Sequence, residues 1–144
     1  MTSSDRVDRS EPVRRETAAS VLIAIARIAF GIFFVGSAVL KMAATGYMAG
    51  MLSMAGFGQP APLVYAAMAL QTAGGGALIV GRLVVPAAFG LIAYVAVVNW
   101  YLHPFWVLRG EEAAIQFQLF SKNAGIMAGL LAIAGAAALD RSRA

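Results

Sequence analysis

Six polar side chains lie within largely apolar stretches of this sequence. Their types and spacing indicate where chemistry is possible. They are Arg27, Gln71, Asn99, His103, Gln118 and Lys122. All six side chains can donate hydrogen bonds, and none of them is a carboxylate. A cation within an apolar segment is costly unless it meets water, a headgroup or a partner, and for that reason it indicates a functional site. A set of donors without acids suits an acceptor-rich ligand: a quinone carbonyl, a lipid headgroup or a small anion.

The same residue inventory restricts metal and haem chemistry. His103 is the only histidine and cysteine is absent, which excludes bis-histidine haem ligation within one chain and leaves no plausible three-ligand zinc set. Met48, Met51 and Met54 recur at a spacing of three, which suits either a thioether site for Cu(I) or a short interfacial helix that rests on lipid. Because no histidine or cysteine accompanies these methionines, we favour the interfacial helix and expect neither metal nor haem.

Composition places the chain in a membrane. Of its 144 residues, 60 % are hydrophobic and 12 % are charged, which lies outside the range of ordinary soluble proteins. No charged residue lies between Lys41 and Arg82, or between Arg82 and Arg109, and both gaps are long enough for helices of about 20 residues that cross a bilayer. Most of the basic residues lie in tails and turns, so the net charge of +4 indicates membrane topology, and nucleic acid is not an expected partner.

These features predict an all-α fold: a four-helix transmembrane bundle with up-down antiparallel order. The four spans are expected at about residues 18–41, 63–81, 83–102 and 115–139. A disordered cytosolic tail is expected over residues 1–17, the membrane domain over residues 18–140, and a short cytosolic tail over residues 141–144.

The distribution of basic residues predicts the orientation in the cell membrane. One side carries Arg6, Arg9, Arg14, Arg15, Arg82, Arg141 and Arg143, and the other carries Lys41, Arg109 and Lys122. Because basic loops stay inside, both termini of this multi-pass protein are expected in the cytoplasm.

Small and polar residues recur at heptad-like steps on the predicted spans, a pattern that lets helices approach closely in lipid. Arg27 and Gln71 are expected at similar depth on neighbouring antiparallel helices, where a hydrogen bond between them would satisfy part of the guanidinium. A second polar group is expected toward the outer ends of the helices, and its members are Lys41, Asn99, His103, Gln118, Lys122 and Asn123. Lys122 is expected to reach into that group, since it shares a helical face with Gln118.

The order and spacing of several segments resemble the DoxX family of small four-helix membrane proteins over residues 20–138. The matching features are Arg27, Gly31, Gly36 and Lys41 on the first span, then GFGQPAP, LQTAGGGALIVG, HPFW and QLFSKNAGIMAGLL. One departure is Gln71, which stands where the family commonly has a glutamate just before the glycines of the second span.

The resemblance implies an integral membrane protein linked to oxidoreductase complexes, including subunits of thiosulfate:quinone oxidoreductase-like systems. Two hypotheses follow. The first is a redox-associated accessory subunit, at most one subunit of a quinone-linked oxidoreductase, that binds quinone through Arg27 and Gln71 or through Lys122 and His103. The second is a non-catalytic scaffold or assembly factor whose glycine seams pack against a partner oxidoreductase subunit or a second copy of the chain.

Overall fold

The computed structural model describes the backbone of residues 3–143 and the side chains of residues 18–142. Over this range the chain forms helices and turns and no strands. The elements in order are α1 (Ser3–Ala43), α2 (Thr45–Met54), α3 (Pro60–Val80), α4 (Val84–Leu102), a 3-10 turn (Phe105–Val107) and α5 (Gly110–Arg143).

Four segments are long and apolar enough to cross a membrane, as the sequence predicted. They are Ala18–Ala43, Pro60–Val80, Val84–Val107 and Gly110–Ser142. The last helix begins at Gly110, before the predicted start at residue 115, because Glu111 and Glu112 lie in its first turn, where acidic side chains favour a helix N-terminus. The protein is therefore an integral membrane protein of helical class.

The helical backbone of α1 extends back to Ser3. The side chains of residues 1–17 lie outside the described residues, so the disordered tail expected there stays a prediction. The division of the chain into tails and a membrane domain, and the cytoplasmic location of both termini, also stay predictions.

Two short connections have the geometry that the sequence indicates. Gly81 ends α3 in the left-handed conformation with φ 82°, and Leu83 has φ 54°, so α3 and α4 are joined by a tight turn. At the other end α4 stops at Leu102 and His103 caps it, because the following Pro104 disfavours helical geometry at His103.

Glycines bring the backbones of α1 and α3 into contact. A Cβ atom added to Gly31 would lie 2.6 Å from the carbonyl oxygen of Gly75, and one added to Gly75 would lie 2.8 Å from the carbonyl oxygen of Gly31. Gly129 of α5 leaves space for a side chain instead, since a Cβ atom there would lie 2.6 Å from the ring of Phe30. The core around these contacts includes Phe34, Leu78, Leu91, Leu130 and Ile133, and such close approach is the usual means of helix association in lipid.

Hydrogen bonds show how neighbouring helices are oriented: as residue numbers rise along one helix, the bonded residues of its neighbour fall in number. Arg27 and Ser37 of α1 bond to Leu78 and Gln71 of α3, respectively. Asn99 and His103 of α4 bond to Asn123 and Gln116 of α5 in the same reversed order. Both pairs are therefore antiparallel, and the up-down order of all four spans stays a prediction.

Candidate functional site

Three polar side chains form a chain of hydrogen bonds between α1 and α3. The Lys41 Nζ donates to the Ser37 Oγ at 2.7 Å, and the Gln71 Nε2 donates to the same oxygen at 3.3 Å. Gln71 is only 2 % exposed. Its Oε1 atom is buried and has no hydrogen-bond partner within the described part of the chain. Ser37, which the sequence did not single out, therefore connects a predicted site residue to the lysine that ends the first span.

Lys41 also lies at the edge of a partly open cavity of about 380 Å³, which we call the Lys41 cavity. Side chains of α3 and α4 form its walls, and Met48 and Leu52 of α2, with Phe57, cover one end. Almost all of this lining is apolar. The lining residues that carry a polar group are Lys41, Tyr94 and Tyr101.

Tyr94 contributes an uncommitted donor to the Lys41 cavity. Its hydroxyl makes no hydrogen bond to the described residues, although the side chain lies within a spanning helix and lines the cavity. Tyr101, by contrast, packs edge-on against Phe57 with ring centroids 5.1 Å apart. A phenol that lines an apolar cavity and has no partner among the described residues can donate to a ligand with an acceptor.

Arg27 lies in a different cavity, of about 670 Å³, between residues 19–27 of α1, the α3–α4 turn and the last turns of α5. We call it the Arg27 cavity. The Arg27 Nη1 donates to the Leu78 carbonyl oxygen at 2.6 Å, and the guanidinium lies directly against Gly81, where a Cβ atom would overlap it. The left-handed glycine is therefore required both for the turn and for the position of Arg27.

The predicted hydrogen bond between Arg27 and Gln71 is wrong. The one Gln71 atom able to accept from Arg27, Oε1, has no partner, and its amide nitrogen bonds to Ser37 instead. Ser37 is ten residues beyond Arg27, or about 15 Å along the helix. The prediction assumed that both helices enter the membrane at the same level, whereas α3 ends opposite Arg27 and α1 continues past it. Gln71 thus contacts Ser37, whose hydroxyl also accepts from Lys41.

Asn99 forms a closed amide pair with α5. Its Nδ2 donates to the Phe120 carbonyl oxygen at 3.0 Å, and its Oδ1 accepts from the Asn123 Nδ2 at 2.9 Å. Asn99 is 2 % exposed, and these bonds use donors and acceptors that would otherwise be unpaired in the bundle. The arrangement ties α4 to α5, and the buried side chain of Asn99 is not available to a ligand in this structure.

His103 bonds to a residue that the sequence did not identify. Its Nδ1 lies 2.8 Å from the Gln116 Oε1, so the imidazole donates from Nδ1 when the amide oxygen is the acceptor. This bond closes the 3-10 connection between α4 and α5. Gln116, Asn123 and Leu130 follow one another at seven-residue steps, and that periodicity is the signal that would have placed Gln116 on the inner face of α5.

Gln118 and Lys122 do not join the predicted outer polar group. Both are exposed on α5, and neither forms a hydrogen bond or ion pair with the described residues. The prediction that Lys122 reaches the outer group is therefore wrong. Gln118 is two positions from Gln116, which turns it about 200° around the helix, away from the inner face.

Comparison with known proteins identifies the family of this chain. The DoxX family model matches residues 22–104, more than half of the 144 residues. No curated protein and no solved structure matches the chain. The match includes Arg27, Ser37, Lys41, Gln71 and Tyr94, and it ends before α5. The chain therefore belongs to the DoxX family.

Proposed function

We propose that this protein binds a quinone in the Lys41 cavity and acts as a redox-associated accessory subunit in the membrane. The observation that carries the proposal is the pairing of two hydrogen-bond donors, Lys41 and Tyr94, with an otherwise apolar cavity inside the spanning helices. A quinone has the complementary form: two carbonyl acceptors on a ring and an isoprenoid tail.

The size of the cavity supports a ligand of this kind. Its volume of about 380 Å³ lies within the roughly 300–1,000 Å³ of small-molecule sites, which are mostly apolar with a few placed polar groups. The cavity is partly open, so a ring can lie inside while a long tail extends along the bundle.

The donors remain available to a ligand. The Lys41 ammonium has three N–H groups, and its one short hydrogen bond is to the Ser37 Oγ. Gln71 holds Ser37 from the opposite helix, so we assign Gln71 and Ser37 as positioning residues for the lysine. Lys41 and Tyr94 are the residues proposed to contact the quinone carbonyls.

Extraction of bound small molecules from the purified full-length protein tests the proposal. The wild-type protein and the variants Lys41→Met and Lys122→Met are purified in parallel, and quinone is quantified per mole of protein. Lys122→Met is the matched control, because it removes the same charge from an exposed position outside the cavity. We expect quinone in the wild-type and Lys122→Met proteins and a strong loss in Lys41→Met. Absence of quinone from the wild-type protein, or equal occupancy in both variants, would contradict the proposal.

A second candidate function, a membrane scaffold or assembly factor, is favoured by one specific observation. Gln118, Lys122 and Gly125 form an exposed face of α5, although an amide and a cation within a spanning helix are costly against lipid. A partner helix that packs on Gly125 and pairs with Lys122 would remove this cost. Copurification of a stoichiometric protein partner without bound quinone would support the scaffold over the quinone-binding subunit.

A further inference from the structure

The Arg27 cavity combines charged and apolar walls at the level where the spans end. Its charged lining residues are Arg27, Asp140 and Arg141, and its apolar walls include Ile23, Ala136 and Ile133. The candidate span of α1 begins at Ala18 and that of α5 ends at Ser142, so the cavity lies near one end of both spans. It is separate from the Lys41 cavity and shares no lining residue with it.

The guanidinium in this cavity is fixed in position and has donors to spare. One N–H of Arg27 donates to the Leu78 carbonyl oxygen, and the guanidinium packs against the backbone of Gly81. A guanidinium has five N–H donors in a planar fork, so four remain. That fork matches the oxygen atoms of a phosphate or carboxylate, and the resulting charge-assisted bonds are among the strongest in proteins.

The charged side chains that line the cavity have a net charge of +1. Arg27 and Arg141 are positive and Asp140 is negative, and no ion pair between these side chains is formed among the residues described here. A ligand with a single negative charge would neutralise the described lining residues, whereas a zwitterionic headgroup would leave their net charge positive. The apolar walls beside the charges suit the first part of an acyl chain.

From these observations we infer that the Arg27 cavity binds the phosphodiester headgroup of an anionic membrane phospholipid. Arg27 holds the phosphate oxygens, Arg141 adds a second positive charge at the rim, and the alanines of α5 leave space for the glycerol and the upper acyl chain. Free inorganic phosphate shares the phosphate chemistry without the chain. This site is independent of the proposed quinone site, since a different helix surface and a different cation form it.

Lipid retention by the full-length protein tests the inference. Delipidated protein in detergent is titrated with phosphatidylglycerol, phosphatidylethanolamine and inorganic phosphate, and bound molecules are counted by native mass spectrometry. We expect one retained phosphatidylglycerol, and a loss of about tenfold or more in affinity for Arg27→Gln, the size expected when a hydrogen bond to a charged group is removed. Equal binding of phosphatidylethanolamine would overturn the assignment to an anionic lipid, and binding of inorganic phosphate as tight as that of the lipid would overturn the assignment to a headgroup.

Two further variants separate the site from general charge attraction and from misfolding. Arg82→Gln removes a positive charge from the exposed α3–α4 turn, next to Gly81 but outside the cavity lining, and is expected to bind phosphatidylglycerol like the wild type. Ala136→Leu fills the cavity without removing a charge and is expected to weaken binding. Equal loss in Arg82→Gln and Arg27→Gln, or full binding by a folded Ala136→Leu protein, would overturn the inference.

Discussion

The two cavities of this bundle differ in how each cation is held, although both cations come from α1. Lys41 is bound by a side chain, Ser37, which in turn contacts Gln71, and it borders an almost wholly apolar space. Arg27 is bound by a backbone carbonyl and lies against a glycine turn, and its cavity contains further charges. The first arrangement suits a neutral ligand with acceptors, and the second suits an anion.

The difference shows that the surroundings of each cation of α1 depend on which part of α3 lies opposite it. At the level of Ser37 and Lys41, α3 presents the amide of Gln71. At the level of Arg27, α3 is ending, so it presents a free carbonyl at its C-terminus, where cations are favoured. Gly31 and Gly75 lie between the two levels and hold the helices in this register.

The largest effect is expected from Gly31→Val, which would break both cavities at once. Its side chain would collide with the carbonyl oxygen of Gly75 and with Ile79, and backbone cannot move aside as a flexible side chain can. We expect destabilisation by about 1–3 kcal/mol or more, as for overpacked cores, together with loss of both ligands. Thermal unfolding in detergent measures the change. Gly36→Val is the matched control, because nothing lies within 4 Å of a Cβ atom at Gly36; an equal loss of stability in both variants would contradict the close-approach argument.

Gly81→Ala is expected to disturb only the Arg27 cavity. Alanine is strained at φ 82° and its Cβ atom would overlap the Arg27 guanidinium, so we expect destabilisation by about 1–3 kcal/mol and loss of phosphatidylglycerol. The Lys41 cavity shares no residue with this turn, so quinone occupancy should be unchanged. Loss of quinone in a folded Gly81→Ala protein would show that the two cavities are coupled.

The spans were predictable because a membrane-spanning helix needs a long, uncharged and apolar stretch, and the sequence shows such stretches directly. The tight turn at Gly81 and the end of α4 before Pro104 were also predictable, since glycine and proline restrict the backbone locally. The DoxX resemblance was confirmed by the family match over residues 22–104. No local pattern, however, records how far one helix slides along another.

Register and rotation therefore account for the errors at the site. Arg27 and Gln71 were paired because each lies partway along its own span, but the glycine contacts set a register that separates them. Gln118 and Lys122 were placed inside because they share one helical face. Packing instead turns inward the stripe of Gln116, Asn123 and Leu130. Ser37 carries no comparable sequence signal, because the hydroxyl of a serine in a helix can equally bond to its own backbone.

Tyr94→Phe sharpens the assignment of the Lys41 cavity with a smaller effect. The variant removes one hydroxyl and keeps the apolar surface, so the volume and walls of the cavity are retained. Loss of one hydrogen bond to a quinone carbonyl should lower quinone affinity by roughly three- to tenfold, measured by titration of a short-chain quinone into the detergent-solubilised protein. Tyr65→Phe is the matched control, because Tyr65 is an exposed tyrosine of α3 outside the cavity lining. Unchanged affinity in Tyr94→Phe would remove Tyr94 from the proposed site.

The smallest effect on the folded chain is expected from Lys122→Met. Lys122 is exposed and has no bond to the described residues, so its removal should change the free energy of unfolding by less than about 0.5 kcal/mol and leave both cavities occupied. Its effect should instead fall on association, because the exposed face of α5 is where a partner helix would remove the cost of a cation in lipid. We therefore expect Lys122→Met to retain both ligands while any copurifying membrane partner is lost, as measured by size-exclusion chromatography of the gently solubilised complex. Loss of quinone or phosphatidylglycerol in this variant would instead return Lys122 to the ligand sites and contradict the separation of α5's outer face from the two cavities.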